Sequence, residues 1–195
     1  MRYPPDQKAR ARDALLQAGA RSLKTSGFNG VGVDGLAAAA GVTSGAFYSN
    51  FPSKEGMLEA VIDAALGEPL LADTASTTRA EGRARLISFV EEYISAGHSL
   101  DSAEGCVMPA LSADVSRAHP HVRDTYQRKM ISLVERIAGL LDGDQADRQR
   151  RAWSIVALMV GSIVISRGMP EGSKSSVAAL DSALSTARTL IGPDA

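Results

Sequence analysis

The sequence predicts an all-α protein, and three observations carry that prediction. Alanine and leucine dominate a composition in which 45% of residues are hydrophobic and only 5% aromatic, a balance that favours helices over sheets. Apolar residues recur at helical spacing in about nine segments, each bounded by glycine, proline or a capping residue. Two short helical segments also meet at Gly41, giving the helix, tight turn, helix pattern of a helix-turn-helix unit.

Taken in order, residues 1–7 are polar with Pro4-Pro5 and read as a tail, from which Arg2 and Lys8 can reach a phosphate or a minor groove. A helix from Lys8 to Ser26 buries Leu15, Leu16, Ala18 and Leu23, shows Arg10, Arg12, Arg21 and Lys24 outward, and ends at Gly27. Val33, Leu36, Ala37 and Ala40 mark a short helix from Asp34 to Ala40 that stops at Gly41, a residue able to turn left-handed at little cost. Thr43 then caps a helix from Ser44 to Asn50, because its hydroxyl can accept from an amide two or three residues on. Phe47 and Phe51, four apart, face inward, and Pro52 ends the helix. Ser53 caps the next helix, which runs to Leu66 with Lys54 and Glu55 in its first turn.

Gly67-Glu68-Pro69 breaks the pattern, and a functional hinge is expected between residues 60 and 70. Further helices are expected from Ala80 to Ser99, from Cys106 to Ser116 with irregularity at Pro109, and from Pro120 to Leu141, where proline suits the first helical position. The last two span Gln145 to Arg167 and Ser173 to Ile191. The former is apolar on more than one face, so it must be covered on all sides, and a second subunit covers it economically.

In a helix-turn-helix unit the second helix presents its N-terminal residues to the major groove. Its contact face must be small. Ser44, Gly45 and Ala46 permit close backbone approach, while Thr43, Tyr48, Ser49 and Asn50 offer donors and acceptors to phosphates and base edges, and Lys54 stands where a phosphate contact belongs.

The run Ala40-Gly41-Val42-Thr43-Ser44-Gly45-Ala46-Phe47-Tyr48-Ser49-Asn50-Phe51-Pro52-Ser53-Lys54-Glu55 resembles the DNA-binding signature of the TetR family of bacterial repressors. Upstream, Leu15, Leu16, Ala18, Leu23, Gly27 and Phe28 resemble the family's first helix and its closing Gly-aromatic pair, so the likeness covers residues 8–60. Two departures stand out. Asn50 replaces the usual histidine, and Val31-Gly32 occupies the place of the usual Thr or Ser cap, a loss of about 1 kcal/mol or less. The resemblance implies a DNA-binding domain at 1–60, an effector-binding and dimerisation domain at 61–195, and a homodimer that binds double-stranded operator DNA and answers to a small molecule.

The charge distribution agrees with that division. The 195 residues carry a net charge of −1, but residues 1–60 carry +2 and residues 61–195 carry −3. A single cysteine, Cys106, excludes a disulfide within the chain and fits a reducing, cytoplasmic location. No signal peptide is visible, and the longest apolar run, Ile155 to Ile165, is shorter than the ~20 residues of a bilayer span.

By the same resemblance, Phe89, Tyr93, Cys106, Met108, Leu111, Tyr126, Met130, Trp153 and Met159 are candidates to line an effector pocket suited to an apolar or aromatic ligand, each with plain core as the competing reading. Ile155, Leu158, Ser162, Ile165, Leu180, Leu184 and Ala187 are candidates for the dimer interface. Cys106 follows Gly105 at a helix start, where amide groups favour a thiolate, so a redox or electrophile sensor is an alternative, with Glu104 opposing it. His119-Pro120-His121, even with His98, makes a poor metal set, and no metal or other cofactor is expected. No nucleophile–base pair or phosphate loop supports an enzyme. A DNA-binding activator or architectural protein without a ligand stays in competition with the repressor.

Overall fold

The computed structural model describes residues 5–67 and 78–192. Among them are ten helices and no strand: α1 (Pro5–Gly30), α2 (Val33–Ala39), α3 (Ser44–Asn50), α4 (Lys54–Ala65), α5 (Arg79–Tyr93), α6 (Ala96–Leu100), α7 (Val107–Val115), α8 (Pro120–Leu140), α9 (Gln145–Arg167) and α10 (Lys174–Ile191). One more helix forms than the nine expected. The segment from Ala80 to Ser99 divides because Ile94 leaves the helical region (φ −86°, ψ 64°), and the Ser95 side chain starts α6 by accepting from the His98 amide. Ser95 and Gly97 are poor helix formers, and local capping outcompetes continuation there. Pro109 causes no break, since it sits in the first turn of α7, where its missing N–H has no helical partner to lose. Residues 1–4 of the polar tail lie outside the described residues, and α1 starts at Pro5, earlier than the expected Lys8.

The chain divides into two compact units, residues 1–66 with 102–127, and residues 67–101 with 128–195. Residues 102–127, α7 with its flanks, thus pack with the first sixty-six residues although they come much later in the chain.

In the first unit, α1 is the central strut. Leu15 and Leu23 are fully buried, as are Leu36 of α2, Phe47 of α3, and Met57 and Leu58 of α4. The contact between α1 and α4 is close: a Cβ added at Gly19 would stand 2.7 Å from Met57 Cε. The helical run of α1 is interrupted at Gly27, whose φ of 70° is open to glycine and strained for other residues. Segment 102–115 is fastened along α1 by Arg21 with Glu104 at 2.6 Å, by Lys24 Nζ donating to the Gly105 carbonyl at 2.9 Å, and by the Phe28 amide donating to Asp114 at 3.0 Å.

In the second unit α9 and α10 pack against each other, with Ile155, Met159, Ile163, Leu180 and Ala187 buried. Three buried serines are paired with one another. Ser99, Ser166 and Ser176 form a hydroxyl chain at 2.8 and 2.7 Å, and Arg167 donates to the Ser99 and His98 carbonyls at the end of α6. Arg151 ties the start of α9 to the end of α10 by donating to the Leu190 carbonyl at 2.8 Å, and Arg83 pairs with Asp142.

Candidate nucleic-acid interface

The turn between α2 and α3 rests on three local devices. Gly41 takes φ 68°, which lets the Val42 amide reach back to the Ala37 carbonyl at 3.0 Å and closes α2. Thr43 caps α3 by accepting from the Ala46 amide at 3.2 Å. Ser44 Oγ donates to Asp34 Oδ1 at 2.5 Å, which pins the first turn of α3 to the first turn of α2. That last contact was not anticipated; the two residues stand ten apart, and no local periodicity links them. α2 has no side-chain cap, as the Gly32 position implied.

A seven-residue helix does not hold itself in water. Here α3 is held from below, because Phe47 and Phe51 are buried and pack with tilted rings at 5.8 Å between centroids. Arg12 of α1 lies 4.6 Å over the Phe51 ring and donates to the Asn50 carbonyl at 3.0 Å, so a basic residue answers the exposed C-terminal end of the helix. The other face is open. Tyr48 is 57% exposed, and Thr43, Gly45 and Ser49 are exposed beside it, while Ser44 and Ala46 are half-buried. A Cβ at Gly45 would meet nothing closer than Thr43 Oγ1 at 3.8 Å, so the fold itself does not require glycine there.

Besides Thr43 and Ser44, three more of the expected contact residues are engaged within the protein, Ser49 by donating to the Ala46 carbonyl at 2.8 Å. Asn50 Nδ2 donates to the Ala46 carbonyl at 2.8 Å, and its buried Oδ1 has no hydrogen-bond partner among the described residues. Lys54 places Nζ 4.2 Å over the Phe28 ring, and burial holds its pKa below the ordinary lysine value while the charge of Asp114 opposes that shift.

Residues 15–61 match the family model described as "Bacterial regulatory proteins, tetR family". That span contains the capped, glycine-turned pair of helices and its exposed face. That segment is of the TetR-family DNA-binding type.

TetR-family regulators bind DNA and are not enzymes. Solved structures share the fold over almost the whole chain. The reduced form of E. coli NemR is 22% identical with a TM-score of 0.74, covering 95% of this chain and 99% of that one. A TetR-family transcriptional regulator from Cytophaga hutchinsonii is 22% identical with a TM-score of 0.76, covering 97% and 96%. One from a Rhodococcus species is 22% identical with a TM-score of 0.65, covering 94% and 100%. Among curated proteins, none matches the chain.

The pocket candidates are distributed over both units of this TetR-family fold. Cys106, Met108, Leu111 and Tyr126 belong to the first, and Phe89, Tyr93, Met130, Trp153 and Met159 to the second. Met108, Leu111, Tyr93, Met130 and Met159 are buried, whereas Trp153 is 46% exposed. In the first unit, Ser112 Oγ and Tyr126 Oη are 2.8 Å apart. Burial pushes the Tyr126 phenol up, the Ser112 bond opposes that, and Cys106 adds to it. Cys106 is the N-cap of α7, its sulfur accepting from the Met108 amide at 3.4 Å.

The interface candidates also divide. Ile155, Ser162, Leu180 and Ala187 are buried within the second unit, Leu158 and Leu184 are half-buried, and Ile165 is 55% exposed. The exposed apolar surface of α9 instead runs through Trp153, Ala157 and Val164, one helical face, with Val177 exposed on α10.

His119 and His121 bring their Nδ1 atoms to 2.8 Å, and His121 faces Glu59 at 3.6 Å. No group of three or more His, Cys, Asp or Glu that could hold a metal occurs among the described residues. None of the described helices is long and apolar enough to cross a membrane.

Proposed function

We propose that the protein is a cytoplasmic, homodimeric repressor that binds a palindromic operator through α3 and lets go when a small, mostly apolar or aromatic effector binds. The observation that carries this reading is the two-sided character of α3. Its inner face is anchored by Phe47, Phe51 and Arg12, while Gly45, Tyr48 and Ser49 stand exposed on its outer face. Glycine in a helix costs about 0.5–1 kcal/mol relative to alanine, and at Gly45 no intramolecular contact compensates for that. Close approach of backbone to DNA supplies the reason for keeping it.

One such helix reads only a few base pairs, so specificity needs two, spaced by about one turn of DNA or a multiple of it. The exposed face of Trp153, Ala157, Val164 and Ile165, with Val177, supports a two-fold contact between copies of the second unit. Residues 1–60 form the DNA-binding domain and 61–195 the effector and dimer domain in this reading. The effector acts by favouring a conformation whose reading helices are wrongly spaced for adjacent major grooves.

Sequencing the genomic fragments that the purified protein retains tests the reading. A sharply enriched near-palindrome is expected, and its loss when an aromatic-compound library is added identifies the effector. Diffuse, salt-sensitive retention refutes sequence-specific operator binding by the free protein. A thermal-shift screen without a hit, together with raised transcription on occupancy, points to an activator instead.

Cysteine sensing is a second reading, and the Met108 amide donated to Cys106 Sγ favours it, since amide donors stabilise a thiolate. One similar fold is described as a reduced form. Cys106→Ser is then expected to abolish release of DNA by peroxide or aldehydes; an unchanged response excludes it.

A further inference from the structure

What a hydroxyl on α3 can bond to on DNA depends on where its single proton goes. Ser44, the first residue of α3, donates that proton to Asp34 Oδ1 at 2.5 Å. Asp34 lies exposed in the first turn of α2, and Ser44 is half-buried between exposed Thr43 and Gly45. A hydroxyl has one proton and two lone pairs, so Ser44 is left to meet DNA as an acceptor, and a carboxylate beside it accepts as well. The bond is charge-assisted, roughly twice as strong as a neutral one. Two neighbouring hydroxyls differ. Thr43 Oγ1 accepts from the Ala46 amide at 3.2 Å, a bond that does not use its own proton. Ser49 donates to the Ala46 carbonyl of its own helix at 2.8 Å, a neutral local bond that a phosphate can replace. Of these three, Ser44 is the one whose direction is fixed by a charged group on another helix.

We infer that Asp34 makes Ser44 a reader of amino groups: the base facing Ser44 in each half-site is adenine or cytosine, whose exocyclic amine donates to Ser44 Oγ. This inference rests on the reading that α3 enters the major groove. The exocyclic amines are the donors of that groove, whereas guanine O6 and N7 and thymine O4 only accept. An acceptor set against an acceptor makes no bond. The negative charge of Asp34 adds repulsion against a phosphate or a keto oxygen at the same point. Asp34 is thus a positioning residue that acts on the base through Ser44, and the contact between α2 and α3 selects sequence as well as bracing the turn.

The test uses the full chain and a fluorescein-labelled duplex bearing the tightest sequence selected from a random pool. Anisotropy gives the affinity for all four base pairs at each position of the half-sites. One position is expected at which adenine or cytosine on one strand binds about fivefold tighter per half-site than guanine or thymine, the low end for a base contact. Ser44→Ala flattens that preference and leaves the other positions as they were. Asp34→Ala frees the Ser44 proton to be donated, so the preference disappears or reverses at that position alone. Replacing the adenine there by purine, or the cytosine by 2-pyrimidinone, deletes only the amine; it should cost the parent about fivefold per half-site and Ser44→Ala nothing.

An equal loss of affinity for every base in Asp34→Ala, at unchanged preference, overturns the inference and leaves Asp34 as a brace for the turn. A guanine or thymine preference at the position that Ser44→Ala flattens also overturns it. So does a parent indifferent to deletion of the amine at every position, a result that holds even if Asp34→Ala does not fold. A preferred sequence without amine dependence removes this inference alone. Recovery of no preferred sequence, or undiminished affinity in Tyr48→Ala, removes the groove reading itself and the inference with it.

Discussion

Gly45→Ala should move stability and DNA affinity in opposite directions. Gly45 is the second residue of α3, and a Cβ there meets only Thr43 Oγ1, at 3.8 Å, an ordinary contact. The folded state therefore gains helix propensity without strain. A mid-helix glycine costs about 0.5–1 kcal/mol, and a first-turn position takes the lower end, about 0.5 kcal/mol. For a chain of this size that raises the melting temperature by about 1–2 °C. On DNA the added methyl lies between the helix backbone and the groove. Overpacking a close interface costs about 1–2 kcal/mol per site, hence about 2–4 kcal/mol for two half-sites, or roughly 30- to 1,000-fold in Kd. Differential scanning fluorimetry and fluorescence anisotropy on the same preparation measure both. A higher melting temperature with undiminished affinity would refute the close-approach argument, and a lower one would show that the local packing has been misjudged.

Tyr48→Ala should weaken operator binding by roughly tenfold or more with little change in melting. The lost edge contact with Phe47, at 5.5 Å, is offset by the better helix propensity of alanine. Trp153→Asp removes about 2 kcal/mol of apolar burial per subunit from the proposed interface and inserts a charge, so sedimentation should show dissociation at concentrations roughly a hundredfold higher or more. Persistence of the dimer at every accessible concentration counts against that face. The Glu81 carboxylate accepts from the Thr78 amide and hydroxyl, and the amide bond first of all holds its pKa below the usual value. Since the folded value is the lower one, the ionised group stabilises α5 above the unfolded value of about 4.3, and that contribution disappears as pH falls through the folded value. The melting difference between the parent and Glu81→Ala should therefore be full at neutral pH and close in acid; a constant gap refutes the assignment.

Much of the fold was legible in short windows. The Gly41 turn, the Thr43 and Ser53 caps and the span of α9 are local matters, decided by backbone freedom and by side chains bonding to amides two or three residues on. The inward role of Phe47 and Phe51 followed from their spacing. The break at Ser95 was missed because the apolar pattern of Leu86, Val90 and Ile94 runs smoothly to it, and the competing serine cap carries little weight in a periodicity.

The candidate interface was legible by residue type and less so by orientation. The sequence by itself determined an all-helical chain, α3 and its boundaries, and the family signature carried by residues 15–61, since these rest on interactions within a few residues. Only the tertiary structure decided that Ser44 bonds to Asp34, that Asn50 turns back on its own helix, that Trp153 faces outward, and that Lys54 lies on Phe28. Each of those depends on partners or packing supplied by another turn or another helix. A hydrogen bond or a seated charge is specified by where two groups meet, and no window of sequence contains that distance.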